Sequence, residues 1–200
     1  MEYTQGYINC SRQQLIDALV QRLSTYRFEH VLRVEKIALE LAEHYGAELA
    51  VQEACSIAAL LHDYAKEMPL EELSKLAIAY WDYPNLAAQN NEILHGMAAA
   101  QIAKTTFACQ DARVLAAIAG HTIGWYQMDF VAKVVYIADY IEPGRRFDKV
   151  ETARTLAFQS LDEAVWFKMR QTLSHLIIDK KQPIFLGAMD IYNNWTTQGF

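Results

Sequence analysis

The chain has 200 residues, a little over half of them apolar, which is enough to build one continuous core and predicts a single domain over 1–200. A net charge of −6 leaves no basic field to hold a nucleic-acid polymer, so an anionic ligand requires a metal ion or a few local Lys and Arg residues. Cys10, Cys55 and Cys109 are too scattered for a disulfide framework or a thiolate zinc site, the N-terminus lacks a secretory pattern, and no apolar run approaches membrane-spanning length; a soluble cytoplasmic protein with no membrane partner is expected.

Ser11 and Gln14 form a capping-box pair, and Leu15, Ala18, Leu19 and Leu23 follow at helical spacing, so a first helix begins near Ser11. A second spans Phe28 to Tyr45 on the stripe Val34, Ile37, Ala38, Leu41 and Ala42, with Gly46 as its stop. From Leu49 an apolar run through Ile57, Ala58, Ala59, Leu60 and Leu61 predicts a buried helix ending near His62 and Asp63. Pro69, Glu71 and Glu72 open another helix that reaches Tyr80.

The segment from Asp82 to Asn91, with Pro84 and its asparagines, reads as the longest internal loop. Helices are expected over Leu94 to Phe107, through Val114, Leu115 and Ile118 to Gly120, and from Asp129 to Ile141, where Glu142-Pro143-Gly144 breaks the pattern. Ser160 and Glu163 start a further helix to about Lys180, and a short last one follows Pro183. Nothing alternates with period two and nothing repeats, so the fold class is all-α.

Within these helices a few polar residues stand where the pattern wants apolar ones. His30 begins the inward stripe that continues as Val34, Ile37 and Leu41. Taken alone it is compatible with a core histidine bonded to a carbonyl. His62-Asp63 ends an apolar run, and Asp139 lies among Val131, Ala132, Val135 and Ala138. A buried carboxylate without a cation or several donors costs several kcal/mol. Lys66 and Lys133 offer an ionic explanation, but two histidines beside two aspartates form a mixed N/O ligand set suited to Fe, Mn or Zn. His95 and His121 fall at expected helix boundaries, where they reach a cleft without occupying the core. His44 lies fourteen residues beyond His30 on one helix, about 21 Å away at the usual rise, and His175 reads as a partly exposed residue; both are set aside.

The order H, HD and distant D at His30, His62-Asp63 and Asp139 is similar to the signature of the HD superfamily of metal-dependent phosphohydrolases. Arg27-Phe28-Glu29-His30, the run from Leu60 to Glu67 (LLHDYAKE), Leu94-His95-Gly96, His121-Thr122 and the run from Tyr136 to Arg145 (YIADYIEPGR) resemble the motif set of the bacterial YqeK family. The resemblance implies a single HD-domain helical bundle, with a motif core over about 27–146 and C-terminal helices completing a nucleotide pocket. It implies symmetrical hydrolysis of diadenosine tetraphosphate to two ADP, with iron as the first choice of metal.

By the same resemblance His30, His62, Asp63 and Asp139 are metal ligands, and Lys66, His95, His121 and Arg145 contact phosphates. Asp63 and Lys66 carry the catalytic roles, and substrate contacts extend to His30 and, in the C-terminal segment, Gln182 and Asn193. The sequence departs from the family at Ile123-Gly124-Trp125, where an Arg is usual, at Phe185-Leu186 in place of His-Pro, and at Tyr192, where an Arg is common. These departures bear on nucleotide preference. The same ligand set also suits a mononucleotide, a cyclic dinucleotide or a pyridine-nucleotide metabolite as substrate. A non-catalytic nucleotide sensor fits less well with a complete ligand set. The aromatic tail, Tyr192, Trp195 and Phe200, either covers a homodimer face or finishes the core.

Overall fold

The computed structural model describes residues 1–197; Phe200 lies outside them. In chain order it holds α1 (Arg12–Arg22), α2 (Thr25–His44), α3 (Leu49–Leu61), α4 (Leu70–Tyr80), α5 (Asn91–Thr105), α6 (Ala112–Gly120), α7 (Phe130–Ile141), α8 (Val150–Gln159), α9 (Leu161–Ser174) and α10 (Leu186–Thr197). A 3₁₀ turn, Leu86–Ala88, interrupts the loop before α5, and a π-helical turn, His175–Lys180, follows α9. Among the described residues there is no strand, and no helix is long and apolar enough to cross a membrane. The fold is all-α.

The ends of these helices are set by short-range chemistry. The Ser11–Gln14 capping box is present, and Ser24, Asn90, Asp111, Asp129 and Ser160 each accept a hydrogen bond from a first-turn amide. Such caps satisfy donors that the helix itself cannot, each at roughly 1 kcal/mol. Gly46, at φ +71°, stops α2 in a conformation that a side chain would strain.

The core is organised around α3, in which every residue from Glu53 to Leu61 is buried. It packs against α2, α6 and α7, while α4 covers α5, and α8 and α9 close the other side against α7. Burial on all faces explains the unbroken apolar run: no side of α3 meets water. Two carboxylates enter this core with partners. Glu35 accepts a bidentate pair from Arg12 and the hydroxyl of Ser56, and Glu53 accepts the amides of Thr4 and Gln5. These bonds fasten the N-terminal segment to α2 and α3.

Three expectations need correction. Helix α5 begins at Asn91, because Asn90 serves as its cap and the asparagines read as pure turn chemistry are half turn and half helix start. Helix α8 was not expected. Its buried face is only Val150, Ala153 and Ala157, and it starts from Lys149 in the left-handed region at φ +65° with no side-chain cap, so neither a wide apolar stripe nor a capping signal marks it. The helix after Ser160 holds α-geometry only to Ser174 and then widens into the π turn, which buries nothing. In the aromatic tail Trp195 is buried and its indole N–H donates to Trp125 O, so it finishes the core.

Candidate active site

The polar residues that sequence placed inside come together from the ends of four helices. His30 comes from the second turn of α2, and His62 caps the C-terminus of α3 with Asp63 next to it. Asp139 comes from the last turn of α7, and His121 caps the C-terminus of α6. His95 reaches them from α5. His30, His62, Asp63, His95 and His121 are each at most 3% exposed. The carboxyl end of a helix carries partial negative charge, so the converging ends of α3 and α6 favour a cation between them.

Each imidazole is held by its outer nitrogen. Nδ1 of His62, His95 and His121 donates to the carbonyls of Ala59, Asn91 and Ile118 at 2.6, 2.8 and 2.8 Å. A carbonyl only accepts, so each of these nitrogens carries its hydrogen. Nδ1 of His30 faces Glu142 Oε1 at 3.2 Å, and Glu142 is itself fixed by Arg33 and the amide of Gly144. The inner nitrogens therefore point into one space. Nε2 of His30 and of His62 are buried without a hydrogen-bond partner, and His30 Nε2 lies 3.2 Å from Asp139 Oδ1. Burial lowers the basicity of His62 and, well below the usual imidazole range, of His121, which leaves lone pairs available.

Asp63 stands in the middle. Its Oδ2 is 3.6 Å from His30 Nε2, 3.5 Å from His62 Nε2 and 2.6 Å from Arg27; its Oδ1 is 3.1 Å from His95 Nε2 and 3.7 Å from His121 Nε2. Burial pushes its carboxyl up, but His62, His95 and His121 outweigh that, and the group titrates well below the usual carboxylate range. Asp139 behaves alike: burial raises it, and His30, Arg145, Lys168 and His62 bring it well below. Both are carboxylates at neutral pH.

Two ligand groups with atoms within 4.8 Å of one another result, His30/His62/Asp139 and His62/Asp63/His121. The orphaned, tautomer-locked Nε2 atoms of His30 and His62 beside two carboxylates fit a metal ion, because outer-nitrogen bonds of this kind are how proteins aim imidazole ligands. His95 and His121 place their Nε2 atoms 2.9 Å apart, with the Thr122 hydroxyl 3.1 Å from His121 Nε2. Two bare lone pairs repel at this separation, so the contact fits a pair that shares a proton or a cation.

This cluster opens into a cavity of about 420 Å³ lined by Arg27, Asp63, Lys66, Glu92, His95, His121, Thr122, Asp139, Tyr140, Arg145, Phe147 and Lys168. A second cavity of about 460 Å³ adjoins it, and Glu92 and Thr122 line both. The second one is more apolar, with Ile93, Ile123, Met169, Leu173, Phe185 and Tyr192 in its walls and Asn90, Gln182 and Lys180 at polar points. One space is lined mainly by charged side chains and its neighbour mainly by apolar ones.

The HD domain family model matches residues 27–144. The chain belongs to the HD domain family. It is 34% identical over 189 residues to the symmetrical bis(5'-nucleosyl)-tetraphosphatase of Bacillus subtilis, covering 94% of this chain and 99% of that one. The enzyme of the same name from Halalkalibacterium halodurans is 32% identical, over 92% and 96%. A solved structure described as a predicted HD superfamily hydrolase involved in NAD metabolism, from Clostridium acetobutylicum, superposes with a TM-score of 0.84 at 32% identity over 94% of this chain and 98% of that one.

In this HD domain the sequence-nominated residues do not all stand where the linear pattern put them. His95 is not at a helix boundary but one turn inside α5, and both it and His121 are buried; Gly96 makes this possible, since a Cβ there would lie 2.8 Å from Ala119 O and 3.2 Å from the His121 ring. The ion-pair partners of the buried acids are Arg27 and Arg145, whereas Lys66 pairs with Glu92 and Lys133 with Asp162. Gln182 lines the apolar cavity. Asn193 is exposed and lines neither cavity, because α10 turns Gly187, Ile191 and Trp195 inward and Ala188 and Tyr192 toward the cavity, which leaves Asn193 outward.

Three residues of the candidate site carry no role in the sequence analysis. Glu142 figures in the sequence only as a helix break and as part of the YIADYIEPGR run, without a role, although it bonds His30. Arg27 was quoted within a motif without a role. Lys168 is buried on α9, donates to the carbonyls of His121 and Tyr136 at 2.9 and 2.7 Å, sits 3.6 Å from the centre of the Tyr136 ring, and approaches Asp139 Oδ2 to 3.9 Å. Burial pulls its ammonium down to about 7, against Asp139, which raises it. Its signal was present: a lysine on the stripe Leu161, Ala164, Val165 and Met169.

Proposed function

We propose that this HD domain is a metal-dependent phosphoric anhydride hydrolase that cleaves diadenosine tetraphosphate between its second and third phosphates to give two ADP. The observation that carries the reading is the junction of the two cavities: a cluster of metal-ligating and cationic side chains opens, past Glu92 and Thr122, onto an aromatic-walled space of about 460 Å³. Such a space suits one nucleoside, and the two lining residues shared by the cavities leave a short path for its phosphates. The tetraphosphatase relatives support the substrate class.

His30, His62, Asp63 and Asp139 would hold the ion, with iron favoured and manganese or zinc compatible with the donors. When bound, such an ion supplies a nucleophilic water at neutral pH and withdraws charge from the phosphoryl group. The chain's own residues do the rest. Arg145 and Lys66 face the charge cavity and neutralise phosphate oxygens as charge spreads over them, although Lys66 must exchange its 2.7 Å pairing with Glu92 to do so.

Asp63 Oδ1 orients the attacking water and accepts its proton, with His95 Nε2 3.1 Å away to relay it. A proton shared by His95 and His121 would go to the bridging oxygen as it leaves, and only then would His95 Nε2 take the proton from Asp63. Water adds to the second phosphorus, the bond to the bridging oxygen breaks, and that oxygen departs with the second ADP. Phe185 and Tyr192 pack the base of the retained half, and Lys168 ties α9 to the ends of α6 and α7, fixing the wall between the two spaces.

The test is incubation of metal-analysed protein with diadenosine tetraphosphate and, in parallel, with a pyridine dinucleotide, separating products by chromatography. ADP alone from the tetraphosphate, with metal content and turnover both lost in Asp139→Ala, is expected. ATP plus AMP, or cleavage of the pyridine dinucleotide in preference, would overturn the substrate assignment.

A further inference from the structure

A symmetrical substrate has two nucleosides, and the apolar cavity accommodates one. The other must leave the charge cavity on a side that the first does not occupy. Tyr140 and Phe147 line the charge cavity and not the apolar one. Both are only partly buried, Tyr140 following Asp139 at the end of α7 and Phe147 on the loop after it. Their ring centroids are 4.6 Å apart with the planes inclined by 40°. That separation leaves no room for a third ring between them, so the pair presents its outer surface.

Arg145 lies between these two positions in sequence and is bound to Asp139 through both Nε and a terminal nitrogen. A phosphate chain that crosses the metal ligands therefore meets a guanidinium and then two aromatic faces. The neighbours of Phe147 on this loop, Arg146, Asp148 and Lys149, are exposed and polar. Tyr140 packs one side against the core, but Phe147 stands outside both the buried set and the residues packed against it, so core packing does not explain the ring that faces Tyr140.

We infer that Tyr140 and Phe147 form the stacking platform for the second nucleoside, the one on the departing ADP, with Arg145 holding that half's phosphates. The inference rests on the dinucleotide reading above. Every base has a π-face, so stacking there strengthens binding of a second nucleoside without selecting its base. A platform of this kind makes the site prefer dinucleoside polyphosphates over mononucleoside ones of the same charge.

The experiment compares diadenosine tetraphosphate with adenosine 5'-tetraphosphate, which offers the same ADP half and the same phosphate chain but no second nucleoside. In the metal-loaded full chain, Phe147→Ala is expected to lower the ratio of kcat/KM for the dinucleotide to that for the mononucleotide about tenfold, through KM, and Phe147→Tyr to restore it. An equal loss on both substrates, or an unchanged ratio, would overturn the platform while leaving the hydrolase intact. Failure of the wild-type chain to release ADP from the dinucleotide would instead overturn the underlying reading, and the platform with it.

Discussion

The candidate ligand cluster and the outer wall of the apolar cavity are built to opposite specifications. Around His30, His62, Asp63 and Asp139 each imidazole is fixed by a bond from its outer nitrogen, and His30, His62, Asp63, His95 and His121 are each at most 3% exposed. The outer wall is the π turn His175–Lys180 and the segment leading into α10, in which Ile177, Ile178 and Leu186 are 56%, 64% and 64% exposed and no residue of the turn is buried. Metal chemistry needs donors held to within tenths of an ångström, and a packed polar network supplies that. Admission of a large, flexible nucleotide needs a wall that can yield, and few buried contacts supply that. On the proposed function, the densely packed half sets the reaction type and the exposed half the substrate preference.

The contrast breaks first, and most severely, at the bonds behind the ligands. Glu142→Gln keeps the shape but weakens the hold on His30 Nδ1 and on Arg33, and a loss of about 10- to 100-fold in metal affinity is expected, read by titration of the apoprotein with manganese. An unchanged affinity would mean that Glu142 does not orient His30. Next in size is Lys168→Met, which fits the same buried space yet strands the carbonyls of His121 and Tyr136. It should cost about 1–3 kcal/mol of stability in denaturant unfolding of the metal-free chain, and a variant as stable as wild type would show that water replaces the ammonium. The smallest effect belongs to the compliant wall: Tyr192→Ala should raise KM for diadenosine tetraphosphate by roughly tenfold with little change in kcat, since a stacked ring is worth about 1–3 kcal/mol per base. A fall in kcat instead would place Tyr192 with the densely packed half.

Much of this was legible in one dimension, and the reasons are local. Helices α1 to α4, α6 and α7 announced themselves through caps or apolar runs, α5 only in part because its cap Asn90 reads as turn chemistry, and the candidate ligands announced themselves as acids and imidazoles among apolar residues. Helix α8 was silent because a face of Val150, Ala153 and Ala157 is too small to register as amphipathic. Lys168 was visible as an anomaly on α9 but had no partner in sequence, since the carbonyls it binds lie 47 and 32 residues away.

The sequence by itself determined the all-α class, the inward direction of His30 and Asp139 and the burial of His62 and Asp63, because periodicity and the cost of burying charge are properties of a residue and its near neighbours. Only the tertiary structure decided which cation meets which acid, that Gly96 lets α5 close on α6 so that His95 and His121 face each other, that Glu142 stands behind His30, and that Asn193 turns away while Tyr192 turns in. Those facts depend on how helices distant in the chain cross and rotate against one another, and no local pattern carries that information.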